Sequence, residues 1–332
     1  MARAPLEIVC LGECMIELRA HAPGLLAQGY AGDSYNTAVY LKRLDPEGRL
    51  RVHYATALGS DSFADDMLDA WLEESIEADL VRRIANRSTG LYSIRTDSRG
   101  ERQFSYWREQ SAARVYLEGD PSPLELRADA VDLLYLSGIS LAVLASALPE
   151  RLRALLERIR ARGGRVVFDN NYRPRLWPAG NAARDAYALL YAHCDIALVT
   201  LDDEAVLHPE HDADALLART LALPCAEVVV KRGALPTLVR LASRAPIEVP
   251  VAAVANPVDT TAAGDSFAAG YLAQRLAGHG PEAAAALGNQ LAGIVIQHRG
   301  AIIPRSAMAE VMSKAALMQA ASSAAPGAKA AR

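Results

Sequence analysis

Residues 148–168 read LPERLRALLERIRARGGRVVF, a helix and a strand in a single line. Leu148, Leu152, Leu155, Leu156 and Ile159 fall on one stripe of a 3.6-residue period, with arginines and glutamates on the remaining faces. Gly163-Gly164 stops that helix, and Val166–Phe168 is a short apolar run of the kind a sheet buries on both faces. Val131–Leu136 before it, and Ile196–Val199 and Val228–Val230 after it, repeat the theme. Strands separated by helices pair in parallel, because only a long crossover returns the chain to the same end of the sheet. The pattern predicts an α/β fold with a mostly parallel sheet flanked by helices.

Upstream, Leu6–Leu11 reads as a buried first strand ending at Gly12, and Met15–Arg19 as a second extended piece. Asp33-Ser34 opens a helical pattern carrying Ala38, Leu41 and Leu44. Val52–Leu58 is strand-like, and Asp61 caps a helix bearing Phe63, Met67, Leu68 and Leu72. Gly90–Arg108 differs from its neighbours: two alternating runs flank Asp97-Ser98-Arg99-Gly100, which predicts a hairpin standing outside the main sheet. Downstream, alanine-rich helices are expected over Gly264–Leu276 and Pro281–Gln297, and from about Ala315 to Arg332 the composition is that of a frayed tail.

The 332 residues are 51% hydrophobic and 22% charged, with a net charge of −4, which offers no general basic field for nucleic acid or an anionic membrane. Cys10, Cys14, Cys194 and Cys225 form no CxxC pair and have no histidine at metal-ligand spacing, so they read as buried thiols in a reducing compartment. The opening MARAPLEIVCLGE runs straight into strand-like sequence rather than a secretory leader. No stretch reaches the roughly 18 apolar residues of a spanning helix. The expectation is a soluble cytoplasmic protein.

Chemistry concentrates at Asp259-Thr260-Thr261-Ala262-Ala263-Gly264-Asp265, where small residues lead into a long helix. Free backbone amides in a first helical turn form an anion site, and Asp265 stands where it can take a proton from an attacking hydroxyl. Phosphoryl transfer asks for that combination of positioning and charge stabilisation. Asp265 can equally be a plain helix cap, and the residues alone leave both roles open. Asp33 and Asn36 are three apart at a helix start and project to one side, suiting a polyol, although an N-cap explains Asp33 as well. In the ribbon the period of two puts Tyr106 and Arg108 on one face, fit to close on an anion or simply to be solvated. Arg173 follows a strand end, where ligands bind in open α/β sheets, and is also an ordinary residue to find before a proline.

The motif closely resembles the signature of ribokinase-like (PfkB-type) sugar kinases. The resemblance extends over roughly Leu6 to Pro304, through Gly32-Asp33-Ser34-Tyr35-Asn36-Thr37-Ala38, Tyr106-Trp107-Arg108, Asp169-Asn170-Asn171-Tyr172-Arg173-Pro174-Arg175, Val230-Lys231-Arg232-Gly233 and His298-Arg299-Gly300-Ala301. In that order these look like the 2-keto-3-deoxygluconate kinase branch of the family. The resemblance implies a doubly wound core over residues 1–314, a small β-sheet lid from about 13–20 and 88–110, ATP and Mg²⁺. It implies Asp265 as general base, with Ala262, Ala263 and Gly264 as the anion hole. Gly32, Asp33, Asn36, Tyr92, Tyr106, Arg108, Asn171 and Arg173 would meet a sugar acid. Thr200, Lys231, Gly233, Ala262, Gly264 and Asn289 would meet the nucleotide. Aromatic-faced ribbons seldom stand alone in water, so the lid is also expected to build a homo-oligomer.

Two departures stand out. Pro236 occupies the place where the family often has a second glycine, and the family's Asn-x-x-Glu motif is blurred in Thr200-Leu201-Asp202-Asp203-Glu204, so Asp203 and Glu204 both remain candidates to influence Mg²⁺. Rival classes fare worse. A nicotinamide dehydrogenase needs Gly-x-Gly-x-x-Gly after the first strand, and Leu11-Gly12-Glu13-Cys14-Met15-Ile16 lacks it. A non-catalytic sugar-acid binding protein would tolerate loss of the base, yet Asp265 is present. A fructokinase, ribokinase or 5-keto-2-deoxygluconate kinase differs only in what the arginines meet.

Overall fold

Along Leu6–Leu11 (β1) successive side chains leave the strand on opposite faces. Ile8 and Cys10 join one apolar core while Val9 and Leu11 join another. From Ile8 to Leu11 the strand is buried on both sides and must be apolar, which is why that stretch reads as an unbroken run; Glu7 sits at its half-buried start. The computed structural model describes residues 4–22, 24–96, 102–144, 149–178, 181–242 and 244–324. Leu148 and the turn Asp97–Gly100, both used in the sequence reading, lie outside these described residues.

In chain order the further strands are Met15–Ala22 (β2), Leu25–Ala31 (β3), Leu50–Leu58 (β4), Val81–Arg83 (β5), Leu91–Thr96 (β6) and Arg102–Trp107 (β7). Leu133–Ser137 (β8), Arg165–Asp169 (β9), Ile196–Thr200 (β10), Glu227–Arg232 (β11), Leu235–Leu241 (β12) and Ile247–Val249 (β13) follow. Among the described residues the main sheet runs β13-β12-β11-β10-β9-β8-β1-β4-β5. It is parallel from β11 to β5, and β12 and β13 continue it antiparallel. The chain winds from β1 towards β5 on one side and then from β8 towards β11 on the other. The order therefore reverses between β1 and β8, and ligands of such sheets bind outside the strand carboxyl ends near that point.

The second sheet runs β3-β2-β6-β7. It is larger than the expected lid: β3 was not foreseen, because Gln28 and Gly29 blur its alternation. Strands also begin and end a few residues from the predicted bounds, the uncertainty that pattern reading carries. The tail expected from Ala315 is helical at first, since one helix covers Ala309–Ala324 and Ala315 is fully buried. Alanine is a good helix former, so the same composition serves either state and packing decides.

Helices Ala263–Leu276 and Pro281–Val295 lie close enough for backbone contact. A Cβ on Gly270 would stand 2.9 Å from the Gly288 Cα. That close approach anchors the helix whose first turn carries Asp265.

Candidate active site

The turn before the Ala263–Leu276 helix is held by one side chain. Asp259 Oδ1 accepts from the Thr261 amide at 2.9 Å and Oδ2 from the Gly300 amide at 2.7 Å, tying the turn to the His298–Ala301 segment. Ala262 is forced into the left-handed region, with φ of 61°. An L-residue there costs about 1–2 kcal/mol, a strain that such turns hold at functional sites. The result leaves the Gly264 and Asp265 amides in a first turn without intrahelical acceptors. Lys231 is beside them: a Cβ on Gly264 would be 3.5 Å from its Nζ.

Asp265 accepts a hydrogen bond from Asn36 Nδ2 at 2.8 Å. Asn36 sits on the Asp33–Arg43 helix, and Thr37 of the same turn donates to the Asp265 carbonyl at 3.2 Å. Burial and the neighbouring Asp33 carboxylate push the Asp265 pKa up to about 8; Asn36 and Lys231 oppose this and Asp169 adds to it. Asp33 in turn accepts from Asn171 Nδ2 at 2.7 Å. Lys231 Nζ donates to Asp169 Oδ2 at 2.9 Å, and burial raises the pKa of Asp169 while Lys231 lowers it. Asn170 closes the frame, because its Oδ1 accepts from the Thr200 and Asn171 amides and its Nδ2 donates to the Thr200 carbonyl.

Asp33, Asp169 and Asp265, with Asn36, Asn171 and Lys231, line one cleft of about 540 Å³ at the carboxyl ends of the parallel strands. Its lining includes Gly32, Asp33, Asn36, Tyr92, Tyr106, Arg108, Asn171, Arg173, Thr200, Lys231, Ala262, Ala263, Gly264 and Asp265 from the sequence reading. Tyr92, Phe104 and Tyr106 form its lid side as a stack with centroids 5.8–6.4 Å apart. Gly233 and Asn289 are not brought into the cleft. Gly233 turns the chain between β11 and β12 with φ of 60°, and Asn289 bonds Thr237 and the Pro250 carbonyl.

Both arginines meet carboxylates of the protein itself. Arg173, half exposed, gives Nη1 to Asp203 at 3.2 and 3.3 Å. Arg108 lies just past β7 rather than along the ribbon and is buried against Glu13. Of the acids proposed near Mg²⁺, Asp203 lines the cleft, whereas Glu204 is fully buried and binds Tyr191, Asn170 and Arg219. Among the described residues no three His, Cys, Asp or Glu side chains are grouped to hold a metal. Sequence reasoning missed Glu13, Asp169 and Asn170. Asp169 and Asn170 fall within the Asp169–Arg175 motif already quoted, and position is a further signal, since all three stand at or just beyond the carboxyl end of a buried strand.

A buried carboxylate with a raised pKa beside a helix N-terminus and a lysine has the chemistry that phosphoryl transfer asks for. The model of the pfkB family carbohydrate kinases matches residues 5–308, and the chain belongs to that family. It is 48% identical over 305 residues to the 2-dehydro-3-deoxygluconokinase of Escherichia coli K12, covering 91% of this chain and 98% of that one. Among solved structures, a PfkB protein from Polaromonas shares 27% identity and a TM-score of 0.75, covering 96% of this chain and all of the other. A fructokinase from Xylella fastidiosa with bound ATP shares 24% and a TM-score of 0.76, over 93% and 99%.

Proposed function

We propose that this carbohydrate kinase transfers the terminal phosphoryl group of ATP to the terminal hydroxyl of 2-keto-3-deoxygluconate (2-dehydro-3-deoxygluconate), giving the 6-phosphate and ADP. The observation that carries the reading is that Arg108 and Arg173 line the same cleft as Asp265. A neutral sugar offers a guanidinium hydroxyl acceptors but no counter-charge, whereas a carboxylate accepts two parallel charge-assisted hydrogen bonds. Asp33, Asn36 and Asn171 present acceptors and donors for hydroxyls in between.

In this reading Asp265 accepts the hydroxyl proton as the oxygen attacks the γ-phosphorus and the bond to the β-phosphate oxygen breaks. Asn36 orients the carboxylate. The Gly264 and Asp265 amides and Lys231 face the charge that develops on the phosphoryl oxygens, a preorganised arrangement that needs no rearrangement at the moment of transfer. Thr200, on the cleft wall beside Lys231, would flank the nucleotide. Mg²⁺ suits a site without a protein cage, because it keeps waters and rides on phosphate oxygens with one or two carboxylates. Asp203 is the acid in position to assist, and the ion would neutralise phosphate charge.

The outer side of the lid carries exposed Leu26 and Trp107, with Phe63 nearby, an apolar face that pairing of two lids in a homodimer would cover. No helix among the described residues is long and apolar enough to cross a membrane. One observation favours a second reading: both arginines already have protein carboxylate partners, which a kinase of neutral sugars such as fructose would also tolerate. A panel of sugars and sugar acids assayed with Mg-ATP separates the two. The expected result is a clear preference for 2-keto-3-deoxygluconate, and equal efficiency on fructose or ribose overturns the assignment.

A further inference from the structure

Glu13 stands two residues beyond the end of β1, at the carboxyl edge of the central sheet, and it lines the cleft. It is 2% exposed, and Arg108, which it pairs with, is 7% exposed. The contact is one-sided. Arg108 gives Nη2 to Glu13 Oε2, while Arg108 Nε and Glu13 Oε1 are both buried with no hydrogen-bond partner among the described residues. A purely structural arginine–carboxylate pair tends to close both prongs of the fork. Here the fork is left part-filled beside an open cleft. The backbone is shaped to keep Glu13 in place: a Cβ on Gly90 would stand 2.6 Å from Glu13 Oε1, and one on Gly32 would stand 2.1 Å from the Glu13 carbonyl oxygen.

We infer that Glu13 is a specificity-determining residue, a resident counter-ion that pairs with Arg108 at the cleft wall and sets how tightly an incoming carboxylate is held there. The inference rests on the sugar-acid reading given above. A bare buried guanidinium would be costly to the protein and would trap any small anion that reached it. With Glu13 present the pair is neutral, so an anion gains from Arg108 only if it also fits the donors left over and the hydroxyl-binding residues beyond. A sugar acid does both; sulfate does only the first. Glu13 thereby trades affinity for selectivity.

Glu13→Gln isolates the charge, because the amide oxygen still accepts from Arg108 and the shape is kept. By calorimetric titration without nucleotide the variant should bind 2-keto-3-deoxygluconate roughly tenfold more tightly than wild type, the scale of one charge-assisted bond. Sulfate, negligible on wild type, should raise its melting temperature and compete with the sugar acid. Glu13→Asp keeps the charge and should stay near wild type in both respects. Unchanged or weaker sugar-acid binding by Glu13→Gln, or the same gain in Glu13→Asp, overturns the inference. If Glu13→Gln proves too unstable to titrate, its melting temperature is followed against sugar acid and against sulfate. A rise larger than the wild type's supports the counter-ion role, and an equal or smaller rise overturns it. The sulfate arm needs no sugar acid. A wild type that ignores 2-keto-3-deoxygluconate therefore refutes the functional reading, while an absent sulfate response in Glu13→Gln refutes this one.

Discussion

Asn36 Nδ2 donates to Asp265 Oδ2 at 2.8 Å across 229 residues of sequence, joining the first turns of two helices that come from opposite ends of the chain. The bond fixes where the carboxylate points. It also favours the charged form in a place where burial and Asp33 oppose charge. Both halves of that balance bear on catalysis.

If Asp265 removes the hydroxyl proton, Asp265→Asn should lower kcat by roughly 10²–10⁴. Its amide oxygen can still accept from Asn36, so the fold and nucleotide binding should survive. Steady-state kinetics together with an ATP titration check this. Near-wild-type turnover would remove Asp265 from its role.

The raised pKa gives a pH signature with a definite sign. A base must be ionised, so kcat/KM should climb with pH and level off above about 8. Stability moves the other way. Because the folded pKa lies above the ordinary 3.8, the group's contribution is full below 3.8 and is lost as pH rises to about 8. Asp265→Asn cannot ionise and should gain melting temperature relative to wild type between acid and mildly alkaline pH. A constant difference across that range would contradict the buried carboxyl. Asn36→Ala removes an influence that lowers the pKa, so the activity profile should shift to higher pH.

Arg108→Ala and Arg173→Ala should each reduce kcat/KM for the sugar acid by roughly ten- to hundredfold, with little change in the KM for ATP. Their effects on stability should differ. Removing Arg108 strands Glu13 as a buried carboxylate, at a cost of about 3–5 kcal/mol. Arg173 is half exposed and its pair with Asp203 is worth at most about 1 kcal/mol. Denaturant unfolding of the two variants tests the contrast, and equal losses would show that exposure has been misjudged.

Light scattering should report a dimer, and the paired change Leu26→Asp with Trp107→Glu should release monomers by charging the exposed lid face. A wild type that is monomeric at micromolar concentration would rule out lid pairing.

Much of this was legible in the linear sequence because it is local. The 3.6-residue stripe ending at Gly163-Gly164 and the buried runs at Val166, Ile196 and Val228 depend only on spacing, and they yielded the parallel sheet. The proposal of an anion site at the small-residue turn before Asp265 is local in the same way, because free amides follow from a helix start. The missed strand Leu25–Ala31 lacks a clean period, and the alanine-rich stretch from Ala315 has a composition that serves helix and coil alike, so its place in the Ala309–Ala324 helix could not be read from spacing. Partnership is another matter. That Asp33 faces Asn171, that Lys231 holds Asp169, and that Arg108 is occupied by Glu13 depend on crossovers bringing strand ends together over many tens of residues. No spacing rule carries that information, because the electrostatics of a buried group are set by what the fold places beside it. The sequence determined which residues were available for chemistry; the tertiary structure decided which of them are free, which are neutralised and which carries a pKa near 8.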